Sequence, residues 1–247
     1  MTAGPAFADL AAAAERGDHA TVVRLATEIL ATNPGLDGAH ELRARAYLAR
    51  GELAQAEADA QAAVRLDPDE IRYRELLAEV LSAIGGHREA ADEYARLARL
   101  DPRQAEWTRS EATERLAAAD SGGAVTAARR ALRLDPDDAA AQLALARGLL
   151  RAGQATQALT AADRAVALAP DDPGARETQA DARWLAGDEP GALAAYAALA
   201  RDAQPVAGRA VDKARDLYRS RAGFGGRLLA AVRPLFAATL RGGRLRL

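Results

Sequence analysis

The chain has 247 residues, a formal net charge of −2, 49% hydrophobic and 28% charged residues, a foldable composition and not a disordered one. Cysteine is absent, which excludes disulfides, thiolate metal sites and cysteine nucleophiles. Histidine occurs only at His19, His40 and His87, which all but excludes a multi-histidine centre. Aromatics make up 4% while Ala, Leu, Arg and Glu abound, and those four residues lead the helix scale, so an all-α fold is predicted.

The opening stretch, Met1-Thr2-Ala3-Gly4-Pro5, has no basic region, and Asp9, Glu15 and Arg16 interrupt any apolar core. A secretory leader is therefore not expected. Nor does any run of ~18 apolar residues appear that would span a bilayer as a helix. The small net charge hides an asymmetry: residues 205–247 hold ten basic residues against Asp212 and Asp216, while residues 1–204 hold 23 basic and 33 acidic ones. An acidic body with a basic tail suggests an interaction segment.

Along the chain, Pro34, Pro68, Pro102, Pro136 and Pro170 are each spaced 34 residues apart. Gly17, Gly51, Gly85, Gly153 and Gly187 keep the same phase, with Ala119 in the one missing place. Two alanine series do so as well: Ala44, Ala78, Ala112, Ala146 and Ala180, and Ala56, Ala90, Ala124, Ala158 and Ala192. Each unit reads as one helix of about fourteen residues ending near the Gly and a second ending at the Pro, which cannot continue it. The acids after the prolines (Asp69, Asp137, Asp138, Asp171, Asp172) are expected to cap the next helix. Pro190 fits a first helical turn. The in-phase alanines let helix backbones approach closely and are predicted packing positions.

Period, terminal Pro and small-residue phase together resemble the tetratricopeptide repeat (TPR) family over residues 3–206. The units are then 3–36, 37–70, 71–104, 105–138, 139–172 and 173–206. Arg115 and Arg183 replace the large residue usual at one position, and the fourth unit, with Asp120-Ser121-Gly122-Gly123 at its turn and Trp107 off the usual bulky position, is expected to be the softest joint or re-registered. Residues 206–222 have the pattern of a capping helix. The resemblance implies an all-α right-handed solenoid, with a concave groove lined by the first helix of every repeat. Carried onto this chain, the groove positions are Glu41, Arg45, Arg72, Glu75, Glu79, Arg109, Thr113, Arg147, Arg151, Glu177, Asp181 and Trp184. The Lys/Asn carboxylate clamp of one chaperone-binding subset is not met, because Lys213 and Asn33 are the only residues of their types.

Arg147 and Arg151, one turn apart, read either as a bidentate anion clamp or as a solvated face. Trp184 reads as a peptide anchor or as packing beneath the cap. Beyond Gly223, Gly225 and Gly226, the basic amphipathic tail gathers Leu228, Leu229, Val232, Leu235, Phe236 and Leu240 on one side, leaving Arg227, Arg233 and Arg241 on the other. It fits a docked second helix of a degenerate seventh repeat, an interfacial helix on an anionic membrane, or a segment for a partner or the chain's own groove. Nucleic-acid binding is disfavoured, since base-reading motifs and interleaved aromatics are lacking.

No catalytic grouping is present. Ser82, Ser110, Ser121 and Ser220 lie in no Gly-x-Ser-x-Gly elbow, and Gly85-Gly86 and Gly122-Gly123, placed between helices, lack the Lys-Ser/Thr of a phosphate loop. The Asp-Pro-Asp-Asp runs lack calcium-loop spacing. His19 and His87 are expected as solvated turn residues and His40 as surface or groove packing. The resulting expectation is a non-enzymatic adaptor for a protein or peptide segment, with no cofactor or metal. Its location is expected to be cytoplasmic, peripheral at the membrane's inner face if the tail anchors there. The ratio of 32 Arg to one Lys is associated with a GC-rich bacterial genome.

Overall fold

The computed structural model describes residues 5–201 and 212–213. Twelve helices and no strands occur among them. In chain order they are α1 (Pro5–Glu15), α2 (His19–Thr32), α3 (Asp37–Ala49), α4 (Leu53–Leu66), α5 (Ile71–Ile84), α6 (His87–Leu100), α7 (Ala105–Ala117), α8 (Ser121–Leu134), α9 (Ala139–Arg151), α10 (Ala155–Leu168), α11 (Pro173–Leu185) and α12 (Glu189–Arg201). Odd-numbered helices open a repeat and are called A helices; even-numbered ones close it and are called B helices. From α3 onward the A helices begin 34 residues apart, at Asp37, Ile71, Ala105, Ala139 and Pro173, and every B helix begins in phase with His19.

Each A helix ends one or two residues before a residue in the left-handed conformation: φ lies between +69° and +89° at the five in-phase glycines. In the fourth repeat Ala119 adopts φ +60°, the one non-glycine with positive φ among the described residues. Of the two alternatives expected there, a soft joint or re-registration, the second is not found, because backbone geometry holds the phase even where the favoured residue is missing. Gly122 and Gly123 are not interhelical, as expected from sequence, but sit in the first turn of α8, where Asp120 caps Gly123 N at 2.9 Å.

Asp138 and Asp172 cap as expected, accepting from Ala141 N (3.0 Å) and Gly174 N (2.8 Å). Asp69 does not cap; the next residue, Glu70, accepts from Arg72 N instead. At three of the five in-phase prolines the preceding acid folds the turn: Asp67, Asp101 and Asp135 accept from Asp69 N, Arg103 N and Asp137 N. All ten in-phase alanines are fully buried. At these positions a longer side chain would drive the helices apart.

The chain divides into two compact units, Met1–Ala119 and Asp120–Leu247, the boundary falling in the turn of the fourth repeat. Within the first, each helix from α1 to α7 packs on the next, and α1 also touches α3, as α3 does α5. Within the second, α8 to α12 pack in succession and α9 touches α11. A helices thus lie beside one another in each unit and form a shared face.

Candidate interaction face

In the first unit, position 23 of the repeat carries an acid in two successive B helices, and both are buried. Asp59 on α4 receives Arg43 Nε at 2.7 Å, Arg43 Nη2 at 2.8 Å and His40 Nδ1 at 2.8 Å, while His40 Nε2 lies 3.1 Å from Pro34 O. Glu93 on α6 receives Arg74 Nη1 at 2.8 Å and pairs with Arg96, while Arg74 Nε donates to Pro68 O. Thus His40 and Arg74, at equivalent positions, each tie a buried acid of their own repeat to the proline carbonyl of the preceding one. His40 is therefore an interior polar lock and not surface packing. His87 departs from its expected role too: its Nδ1 is 2.8 Å from Glu114 Oε2, and Glu114 Oε1 accepts from Ser82 Oγ at 2.8 Å. The locks were legible in the sequence as two in-phase pairs, His40/Arg74 and Asp59/Glu93.

The A-helix face of this unit carries the predicted Arg45, Arg72, Glu75, Glu79 and Arg109. Arg45 Nε donates to Glu41 Oε1 (3.0 Å), Arg72 Nε to Glu70 Oε1 (3.0 Å) and Arg109 Nη2 to Glu106 Oε1 (3.2 Å). Glu75 and Glu79, one turn apart on α5, have no ion-pair partner among the described residues. Burial, then Glu79 and Glu106, raise the Glu75 carboxyl above its ordinary value, against the pull of Arg45. Tyr94 is pushed up to about 12 by burial and then by Glu79, Glu114, Glu75 and Glu106. An excess of negative charge sits on this face.

Between α1, α3 and α5 opens a cavity of about 440 Å³ lined by Phe7, Leu36, Leu42 and Tyr73, with Asp37, Glu41 and Arg72 at its polar side. Burial, with Asp37 and Glu41 nearby, pushes Tyr73 up to about 12. The Arg72 guanidinium stands 5.7 Å from the Tyr73 ring centre. Sequence reasoning placed Glu41 and Arg72 here but missed Phe7, which stands in the same phase of the repeat as Glu41, and Tyr73, whose phase differs from that of the groove positions.

In the second unit the predicted Arg147 and Arg151 are exposed on α9, and Arg147 Nε donates to Thr178 Oγ1 at 3.3 Å. Trp184 is half-buried on α11. Asp181 lies under the chain's single lysine: Lys213 Nζ is 2.7 Å from both Asp181 oxygens and 3.1 Å from Glu177 Oε1. The Tyr196 hydroxyl also donates to Asp181, and its pKa is raised by burial and by that carboxylate. Asp181 and Glu177 are thus engaged within the chain itself. The tail positions Arg227, Leu228, Leu229, Val232, Arg233, Leu235, Phe236, Leu240 and Arg241 lie outside the described residues, as does most of the 206–222 segment. Among the described residues no group of three or more acidic, His or Cys side chains is placed to hold a metal ion, and no helix is long and apolar enough to cross a membrane.

Helices in phase with a 34-residue period, each packed on the next within its unit, define an all-α helical-repeat protein. The chain belongs to the tetratricopeptide repeat family, whose models match residues 13–80, 109–173 and 143–208. Among solved structures it resembles a tetratricopeptide repeat protein from Parabacteroides merdae (14% identity, TM-score 0.69, 93% of this chain and 98% of that one). It also resembles MamA (16%, TM-score 0.59, 77% and 96%). A third is YrrB, described as a TPR protein with an unusual peptide-binding site (17%, TM-score 0.56, 80% and 94%). At these identities the likeness establishes the fold. No curated protein matches the chain.

Proposed function

We propose that this protein is a non-enzymatic adaptor that holds a segment of a partner protein on the face formed by its A helices. The TPR fold supports protein or peptide partners generally, and YrrB, a structural neighbour, is described by its peptide-binding site. The observation that carries the reading is the first unit's face: an aromatic-walled cavity beside Asp37, Glu75 and Glu79, which form no ion pair among the described residues, a combination of apolar anchor and charge suited to a peptide. On α9 and α11, Arg147, Arg151 and Trp184 are the candidate contacts of the second unit, Asp181 being engaged by Lys213.

The test is affinity capture with the full chain and with an Arg72→Glu, Glu75→Arg, Glu79→Arg variant of matched helicity. Capture that depends on those residues is expected; identical partner sets would remove the face assignment. A membrane-surface scaffold is the second reading, favoured by the amphipathic pattern of 227–241. It requires salt-sensitive sedimentation with phosphatidylserine vesicles that Arg227→Gln, Arg233→Gln and Arg241→Gln abolish.

A further inference from the structure

We infer that the A-helix face of the first unit selects a basic segment with an aliphatic anchor: the apolar side chain enters the cavity between Phe7, Leu36, Leu42 and Tyr73, and flanking cations lie over Asp37, Glu75 and Glu79. This inference rests on the adaptor reading and names the chemistry of its ligand.

The argument begins with pairing. Each of Arg45, Arg72 and Arg109 already has a carboxylate within 3.2 Å, so the face's cations are satisfied. Asp37, Glu75 and Glu79 form no ion pair among the described residues; Asp37 accepts from Gly38 N, at 2.8 Å, and its charge helps raise the Tyr73 hydroxyl. The leftover charge on the face is therefore negative. The unit as a whole agrees, with 21 acidic against 14 basic residues in 1–119. A cationic partner would neutralise these groups, whereas an acidic one would add repulsion to groups already crowded by like charge.

The cavity sets the second requirement. Its walls are aromatic and aliphatic, its volume of about 440 Å³ exceeds a single leucine side chain, and Tyr73 forms its buried back wall. Burying one apolar side chain there supplies the anchor, while rim charges set orientation and on-rate. Neither requirement is met in the second unit, where α9 presents arginines and the α11 carboxylates hold Lys213.

The probe is a fluorescent synthetic peptide with the sequence of residues 223–247, which has five arginines, several leucines and no acid. Its control has the five arginines replaced by glutamate. Both are titrated into the full chain, wild type and with Arg227→Gln, Arg233→Gln and Arg241→Gln, so that the chain's own basic segment does not compete. Binding of the basic peptide alone is expected, tenfold weaker after Glu75→Gln with Glu79→Gln and again after Phe7→Ala, with melting curves showing each variant folded. Equal affinity for both peptides, or affinity unmoved by Glu75→Gln with Glu79→Gln, overturns the inference. So does binding of the basic peptide to phosphatidylserine vesicles but not to the protein. If no peptide binds yet capture from extracts still depends on Arg72, Glu75 and Glu79, the inference falls and the adaptor reading stands. If both fail, the adaptor reading falls too.

Discussion

Position 23 of the repeat separates the two units. In α4 and α6 of the first it holds Asp59 and Glu93, buried and bound by arginine, with Leu25 at that place in α2; in α8 and α10 of the second it holds Ala127 and Ala161, buried without polar contact. One backbone thus accepts two chemistries at an equivalent interior site. Alanine asks for nothing but close approach, whereas the acid demands a cation from the neighbouring A helix. The demand fixes Arg43, His40 and Arg74 in place and makes the Pro34 and Pro68 turns part of the same network. Charge on the A-helix face follows the same division, with carboxylates in surplus on α5 and arginines on α9.

Breaking the buried pair gives the largest expected effect. Asp59→Ala leaves Arg43 and His40 facing no acid in the interior and should cost about 3–5 kcal/mol by denaturant unfolding. Adding Arg43→Leu should recover most of that loss, since the orphaned charge leaves with its partner. Failure to recover would mean that the lock contributes beyond charge pairing.

The second unit should break through volume. A Cβ on Gly148 would lie 2.8 Å from Val125 Cγ2 and 3.4 Å from Ser121 O, between α8 and α9. Gly148→Ala should therefore destabilise by about 1–3 kcal/mol, although alanine is the better helix former by about 1 kcal/mol. At the boundary between the units, Ala119→Gly should gain up to ~1 kcal/mol, because it relieves a left-handed alanine at the cost of some chain entropy. Thermal melts at fixed concentration check both signs.

The smallest effect concerns the acidic face. Glu75 has its folded-state pKa raised, so its protonated form is the favoured one; that contribution is complete below its ordinary value of 4.5 and lost as pH rises through the raised value. Glu75→Gln should then stabilise at pH 7 by ~0.3 kcal/mol, the scale of a like-charge pair one turn apart, and make no difference below pH ~4. Stability measured against pH for the two proteins decides it.

The architecture was legible because it rests on backbone rules that recur: a residue that tolerates positive φ, a proline that stops the helix, an alanine that allows close packing. Ala119 shows how far those rules reach, since the phase survives without its glycine. The face was only partly legible. Arg45, Arg72, Glu75, Glu79 and Arg109 follow from position within the repeat, but which of them is already paired depends on side-chain reach across turns and helices. Glu70, which holds Arg72, and Glu106, which holds Arg109, lie within three residues of their partners and could have been read from spacing. Lys213 reaching Asp181 from 32 residues away could not. His87 escaped for the same reason, its acid lying on the next A helix.

Methyl-labelled NMR of the full chain titrated with the basic 223–247 peptide reads the central claim at the cavity itself. Shifts at Leu36 and Leu42 that saturate together, with Leu145 and Leu159 of the second unit unmoved, are the predicted result. Saturated binding that leaves Leu36 and Leu42 in place and moves only the second unit would contradict it.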